Sequence, residues 1–228
     1  MKYFFSIILI GFNVFHAQSD PNPLRFKDSL YNDQTNINNF INYDAKNSIP
    51  TNPIVFVGSS SIRMWKTAEY FSDLPVINRG FGGAHLSDVN HFINETVIKY
   101  KPRIIVLYAG DNDIAAGKSP EKVFNDFLLF VKLVNSSIYQ SKIIFIPIKP
   151  SLLRMKFWTK IKIANEMIQN FSYNNPNIFY IDLAKPMFTL NGDLKTSMFA
   201  DDGLHLSKIG YDLWSSMLHP MLIEVYNK

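Results

Sequence analysis

The chain has no cysteine among its 228 residues. Disulfides and a lipid-modified cysteine after a signal sequence are therefore excluded, and the fold must be held by packing alone. No long basic run occurs and the formal charge is only +4, which leaves a nucleic-acid partner without support. No apolar run reaches the roughly 18 residues that a membrane-spanning helix needs. There is no internal repeat, no linker and no ligand spacing of a zinc site. What is present, 47% hydrophobic and 18% charged residues, suits one compact domain with a sizeable core.

The first residues stand apart. Lys2 is followed by an apolar stretch over 3–15 and by a small residue, Ala17. A cationic start, a short apolar middle and a small residue are the order of an export signal, cut near Ala17 or Gln18. An uncleaved anchor is the alternative. We expect a signal peptide over 1–18, a polar, partly helical extension over 19–52 and the main domain over 53–228. The mature protein is then expected to be secreted or periplasmic, without a stable membrane span. In the extension, Leu24, Leu30, Ile37, Phe40 and Ile41 fit one apolar face of a helix packed outside the main sheet.

From Pro53 onward the rhythm changes. Apolar runs at 54–57, 75–77, 103–108, 143–148 and 178–181 are rich in Ile and Val, as strands buried on both faces are. Between them, 60–71, 85–99, 119–136 and 159–173 have the length of crossover helices, and 207–225 is a last amphipathic segment. Ser119-Pro120 reads as a helix start, with serine as cap and proline in the first turn. Such alternation predicts an α/β fold with a parallel sheet and helices on both faces.

Open parallel sheets bind ligands beyond the carboxyl ends of their strands. Four polar or glycine-rich clusters land there: Gly58-Ser59-Ser60-Ser61, then Asn78 to Gly83, then Gly110-Asp111-Asn112-Asp113, and finally Asp202-Gly203-Leu204-His205. Each cluster alone reads as ordinary turn and cap chemistry. Together they hold a serine, an imidazole, a carboxylate, glycine N–H groups and an asparagine amide. These are the parts that acyl transfer needs: a nucleophile, its base, an orienter for the base and donors for an oxyanion.

In this order the blocks resemble those of the SGNH hydrolases, also called GDSL esterases, over 53–220. The resemblance implies a three-layer α/β/α sandwich, flavodoxin-like, with a five-stranded parallel sheet of order 2-1-3-4-5 and no metal or other cofactor. It implies Ser60 as nucleophile, His205 as base and Asp202 as its carboxylate partner. The oxyanion hole falls on the Ser60 and Gly83 N–H groups and on Asn112. Ser59 and Ala84 stand where the family often has Asp, and Asp or Ser. The expected activity is that of an exported serine esterase acting through an acyl-enzyme on a small-molecule or glycan ester. Without an apolar insertion to shelter a long chain, short acyl groups such as acetyl on carbohydrate are favoured. The alternatives are a lysophospholipase-like lipase and a non-catalytic carbohydrate- or anion-binding module on a hydrolase scaffold.

Other residues admit two readings. Trp65 and Trp158 follow site-edge strands and suit either a substrate groove or the core; Ser151 sits on the same edge as a pocket-lining candidate. Trp214 is expected in the core. Asp111 and Asp113 are candidates for a hard cation. His85 and His91 are expected on a helix surface, and His219 in a structural role.

Overall fold

The computed structural model describes residues 20–27 and 36–228. The expected signal peptide lies outside these residues, as does Leu30. Strands β1 (Ile54–Gly58), β2 (Val76–Gly80), β3 (Ile104–Tyr108), β4 (Lys142–Phe145) and β5 (Ile178–Tyr180) form one sheet of order β2-β1-β3-β4-β5. Every neighbouring pair is parallel. Fold class and strand order are those that the resemblance implied.

The helices are α1 (Asn38–Lys46), α2 (Ser60–Arg63), α3 (Thr67–Tyr70), α4 (Leu86–His91), α5 (Ile93–Thr96), α6 (Asp111–Ala115), α7 (Pro120–Ile138), α8 (Trp158–Tyr173) and α9 (Lys208–Asn227). Local chemistry starts the long ones. Ser119 Oγ accepts from the Lys122 N–H at 3.2 Å with Pro120 in the first turn, and Ser207 Oγ accepts from the Gly210 N–H at 3.2 Å. Strand side chains alternate between two cores. Val55, Val57, Ile105, Leu107 and Phe145 pack with residues of α4, α7 and α8. Ile54, Phe56, Ile104, Val106 and Ile144 pack with Ile62, Trp65, Phe71 and α9. Among the described residues no helix is long and apolar enough to cross a membrane.

Three expected helices are broken, and the 85–99 segment is split into α4, α5 and a 3-10 turn over Ile98–Tyr100. The 60–71 segment ends its first helix early, because the Asn78 side-chain amide of β2 donates to the carbonyls of Ile62 at 2.7 Å and Trp65 at 2.9 Å. In the extension, the apolar face is not one helix. Pro23–Phe26 is a single 3-10 turn and α1 begins only at Asn38. Leu24 and Ile41 are 54% and 59% exposed, whereas Phe26, Ile37 and Phe40 are buried. Ion pairs fix both pieces on the body: Arg25 bonds Asp88, and Asp44 bonds Arg79 and, at 2.5 Å, Lys99.

Trp65, open between groove and core in the sequence, belongs to the core, and its candidacy as a substrate-binding residue is corrected. It is 1% exposed, lies among Phe56, Phe71, Tyr211 and Trp214, and donates its indole N–H to Ser215 Oγ at 3.0 Å. A chain that turns directly from α2 into α3 points this ring inward under α9. Trp65→Ala is expected to cost about 3–5 kcal/mol of stability, the usual range for emptying a buried aromatic site. Denaturant melts measure it; a cost below about 1 kcal/mol would place the ring outside the core.

Candidate active site

The site begins where β1 ends. Gly58 has φ +138°, and a Cβ there would stand 1.8 Å from the Tyr108 carbonyl oxygen of β3. Only glycine fits this close approach. The chain is then fastened by the Ser59 N–H donating to Tyr108 O at 3.0 Å. Ser59 is the cap position of α2: its carbonyl accepts from the N–H groups of Ile62 and Arg63, while its hydroxyl makes no cap bond. Ser60, the first residue of α2, is half-buried, and Ser61 beside it is buried.

The partner of Ser60 arrives from the far end of the chain. A bridge between Phe199 and Leu206 and a bond from the Ala200 N–H to His205 O at 2.9 Å close the 199–206 turn. One oxygen of Asp202 accepts from the N–H groups of Leu204 and His205, both at 2.9 Å. The other meets His205 Nδ1 at 2.5 Å, and His205 Nε2 stands 3.0 Å from Ser60 Oγ. The Asp202 carboxyl is held down to about 2, chiefly by its bond to His205 and then by the two backbone N–H groups. An ionised carboxylate only accepts, so Nδ1 carries a proton. In a neutral imidazole Nε2 is then an acceptor for the serine hydroxyl. Ser60, His205 and Asp202, expected as a set, are brought together.

Across Ser60 lies the donor side. Gly83 has φ +78° with open space where a side chain would be. Among the described residues no acceptor takes the backbone N–H of Ser60 or Gly83. Asn112, in the first turn of α6, donates from Nδ2 to the Ala84 carbonyl at 3.0 Å. Its Oδ1 accepts from Arg154 Nη1 and Nη2 at 3.1 and 3.2 Å.

Arg154 was not singled out from the sequence; it lies on the loop after β4, which carries no motif. That loop ties both halves of the site. The Leu153 N–H donates to Gly203 O at 3.0 Å, and Lys149 Nζ to Leu204 O at 2.6 Å. Burial pushes the Lys149 ammonium pKa below its ordinary value.

Several expectations are corrected. Ser151 is buried, with no partner for its hydroxyl among the described residues, at the start of the turn that the Arg154 N–H closes on its carbonyl at 3.2 Å. Trp158 lies 5.4 Å from the Phe188 ring, in a groove with Asn165, Tyr180 and Asp182 beside the edge strand β5. That groove does not include Ser60, Asp202 or His205. His85 is buried, not on a surface, with Nδ1 3.6 Å from Asp113. Desolvation lowers its pKa. The candidate cation ligands are engaged by the chain's own groups: Asp111 with Arg154 at 2.9 Å, and Asp113 with Lys118 at 2.7 Å and the Leu86 N–H. His91 is exposed, and His219 stacks on Phe71 and bonds Asp73.

The Asp202 carboxyl lies below its free value of 3.8, so its pairing stabilises the fold above about pH 4 and is lost as pH falls toward about 2. At 49% exposure solvent screening keeps that contribution small. Asp202→Asn is expected to flatten the acid-side slope of a denaturation series run down through this window. A slope equal to that of the parent protein would contradict the pairing.

Comparison with known proteins bears on the family and the fold. The chain is 26% identical over 194 residues to the platelet-activating factor acetylhydrolase IB subunit alpha1 of Bos taurus, covering 80% of this chain and 79% of that protein. Its fold is similar to that of a GDSL-like lipase from Bacteroides thetaiotaomicron, with TM-score 0.73, 21% identity and coverage of 84% and 98% of the two chains. A carbohydrate esterase family 3 structure from Talaromyces cellulolyticus shares the fold at TM-score 0.62 and 17% identity, over 77% and 99%. Residues 60–213 match the model of the GDSL-like Lipase/Acylhydrolase family, from the start of α2 into α9, and the chain belongs to that family.

Proposed function

We propose that the protein is a serine esterase that hydrolyses carboxylic esters through an acyl-enzyme on Ser60. The observation that carries this reading is one imidazole bonded on one side to Ser60 Oγ and on the other to Asp202. His205 Nε2 takes the hydroxyl proton as Oγ attacks the ester carbonyl carbon. Asp202 holds the Nδ1–H and stabilises the imidazolium. The N–H groups of Ser60 and Gly83 and the amide of Asn112 receive the oxyanion. Collapse breaks the bond to the alcohol, which leaves with the proton from His205. Water then repeats the sequence on the acyl-enzyme and releases the acid.

Short acyl groups, acetyl above all, are the proposed substrates, with a carbohydrate as the alcohol. The acetylhydrolase name of the 26%-identical relative supports the acetyl part, and the shared fold with a carbohydrate esterase is compatible with the sugar. One observation favours a second reading of the alcohol. Leu152 and Leu153 are exposed beside Gly203, on the rim of the base loop, where they suit the apolar part of a lysophospholipid. A panel of p-nitrophenyl esters from acetate to palmitate, with an acetylated sugar and a lysophospholipid, separates these. Turnover is expected to fall with acyl length; a maximum at long chains would favour the lipase reading.

Ser60→Ala is expected to abolish both hydrolysis and labelling by a fluorophosphonate, while Ser59→Ala and Ser61→Ala keep turnover. Labelling of Ser59 or Ser61 instead would refute the assignment. A protein that binds ester or sugar yet neither turns it over nor labels would be a binding module.

Asn112→Ala is expected to lower kcat by about 10²–10³ with KM nearly unchanged, as loss of an oxyanion donor does. Its melting temperature should stay near that of the parent. A rise in KM at constant kcat would make Asn112 a binding residue.

A further inference from the structure

We propose that Arg154 is a positioning residue that locks the Asn112 amide in the one orientation that leaves an N–H for the oxyanion; this rests on the esterase reading above. An asparagine amide has two lone pairs on oxygen and two N–H groups on nitrogen. Arg154 Nη1 and Nη2 both donate to Oδ1, at 3.1 and 3.2 Å. The Ala84 carbonyl takes one N–H of Nδ2 at 3.0 Å. One N–H remains, on the nitrogen that lies beside the Gly83–Ala84 turn.

A flipped amide fails at both contacts. It would set its N–H groups against a guanidinium, which has donors and no acceptor, and its oxygen against the Ala84 carbonyl, which has no donor. Arg154 is itself held. Nη1 pairs with Asp111 Oδ2 at 2.9 Å, and its side chain is 17% exposed. Its charge is thus matched by a neighbour, and its fork is aimed at Asn112, not at solvent. The planar, two-pronged geometry matters, because a lysine ammonium has the charge without the fork. Asp111 directly precedes Asn112, so one guanidinium fixes both the backbone turn and the amide that follows it.

The role differs from a purely structural one in what it predicts. If Arg154 acts through Asn112, its removal acts on the transition state and only while Asn112 is present. Arg154→Ala, Arg154→Lys, Asn112→Ala and the double variant Arg154→Ala/Asn112→Ala are to be compared by kcat and KM on p-nitrophenyl acetate. The rate of fluorophosphonate labelling of Ser60 and the melting temperature are recorded for each.

Arg154→Ala is expected to lower kcat and the labelling rate about tenfold or more, bounded by the roughly 10²–10³ of a lost oxyanion donor. KM should be nearly unchanged. In the Asn112→Ala background the same substitution is expected to add less than about twofold, the mark of two residues acting as one unit. Arg154→Lys keeps a cation beside Asp111 and supplies the same comparison if the alanine variant does not fold; it is expected to show most of the loss. A full and independent loss in the Asn112→Ala background overturns the proposal, as does a loss confined to KM. A parent protein that neither hydrolyses nor labels overturns the esterase reading and this inference with it, whereas an active parent with independent losses overturns this inference alone.

Discussion

Parallel pairing on both sides of β1 is the constraint on which the site depends. Because all the strands run the same way, every strand ends on the same edge of the sheet, and each must hand over to its helix there. The register sets the levels: Gly58 lies opposite Gly80 of β2 and Tyr108 of β3. The turns that carry Ser60, Gly83 and Asn112 therefore leave the sheet close together. Backbone N–H groups that would be paired inside a strand or helix are released at these turns, where an oxyanion can use them. The demand for space follows as well. With β3 pressed against β1, only a residue without a side chain can occupy position 58.

His205 is the exception to this local logic, since its turn follows the edge strand β5. The chain reaches back across the sheet between Asp182 and Asp202 and is held by short-range bonds on arrival. Asp202 divides its oxygens, one for the turn's N–H groups and one for the imidazole. Lys149 and Leu153 then fasten that turn to the loop after β4. A charge buried as deeply as Lys149 is costly unless it is well bonded. Its bond to the Leu204 carbonyl ties it to the residue that precedes His205. His205 and Asp202 are thus held by the scaffold, while the N–H groups of Ser60 and Gly83 are left without an acceptor among the described residues.

Much of this was legible in the sequence, for physical reasons that act over a few residues. Continuous Ile- and Val-rich runs reported strands buried on both faces, and Ser119-Pro120 reported a helix start that the structure contains. The order of polar clusters after successive strands located the site's edge. The extension was read less well. Its apolar spacing fitted one helix, yet Pro23–Phe26 and α1 are separate pieces. What holds them is ion pairing to residues far along the chain, Arg25 to Asp88 and Asp44 to Arg79, and spacing carries no trace of such partners.

Aromatic and support residues mark the limit most clearly. Trp65 and Trp158 occupy comparable places after site-edge strands. One is sealed beneath α9 and the other lies against Phe188 in a groove beside β5. The direction in which each ring points depends on which helix covers it, and that is a property of the packed layers. Arg154 sits in a loop without a motif and meets Asn112 from 42 residues away. By itself the sequence determined the alternation of strands and helices, the edge where function gathers and the residue types able to do acyl chemistry, because periodicity, turns and caps are short-range physics. Tertiary structure alone decided which tryptophan is core and which arginine orients the amide, because those outcomes come from contacts between distant segments, set when the layers close on one another.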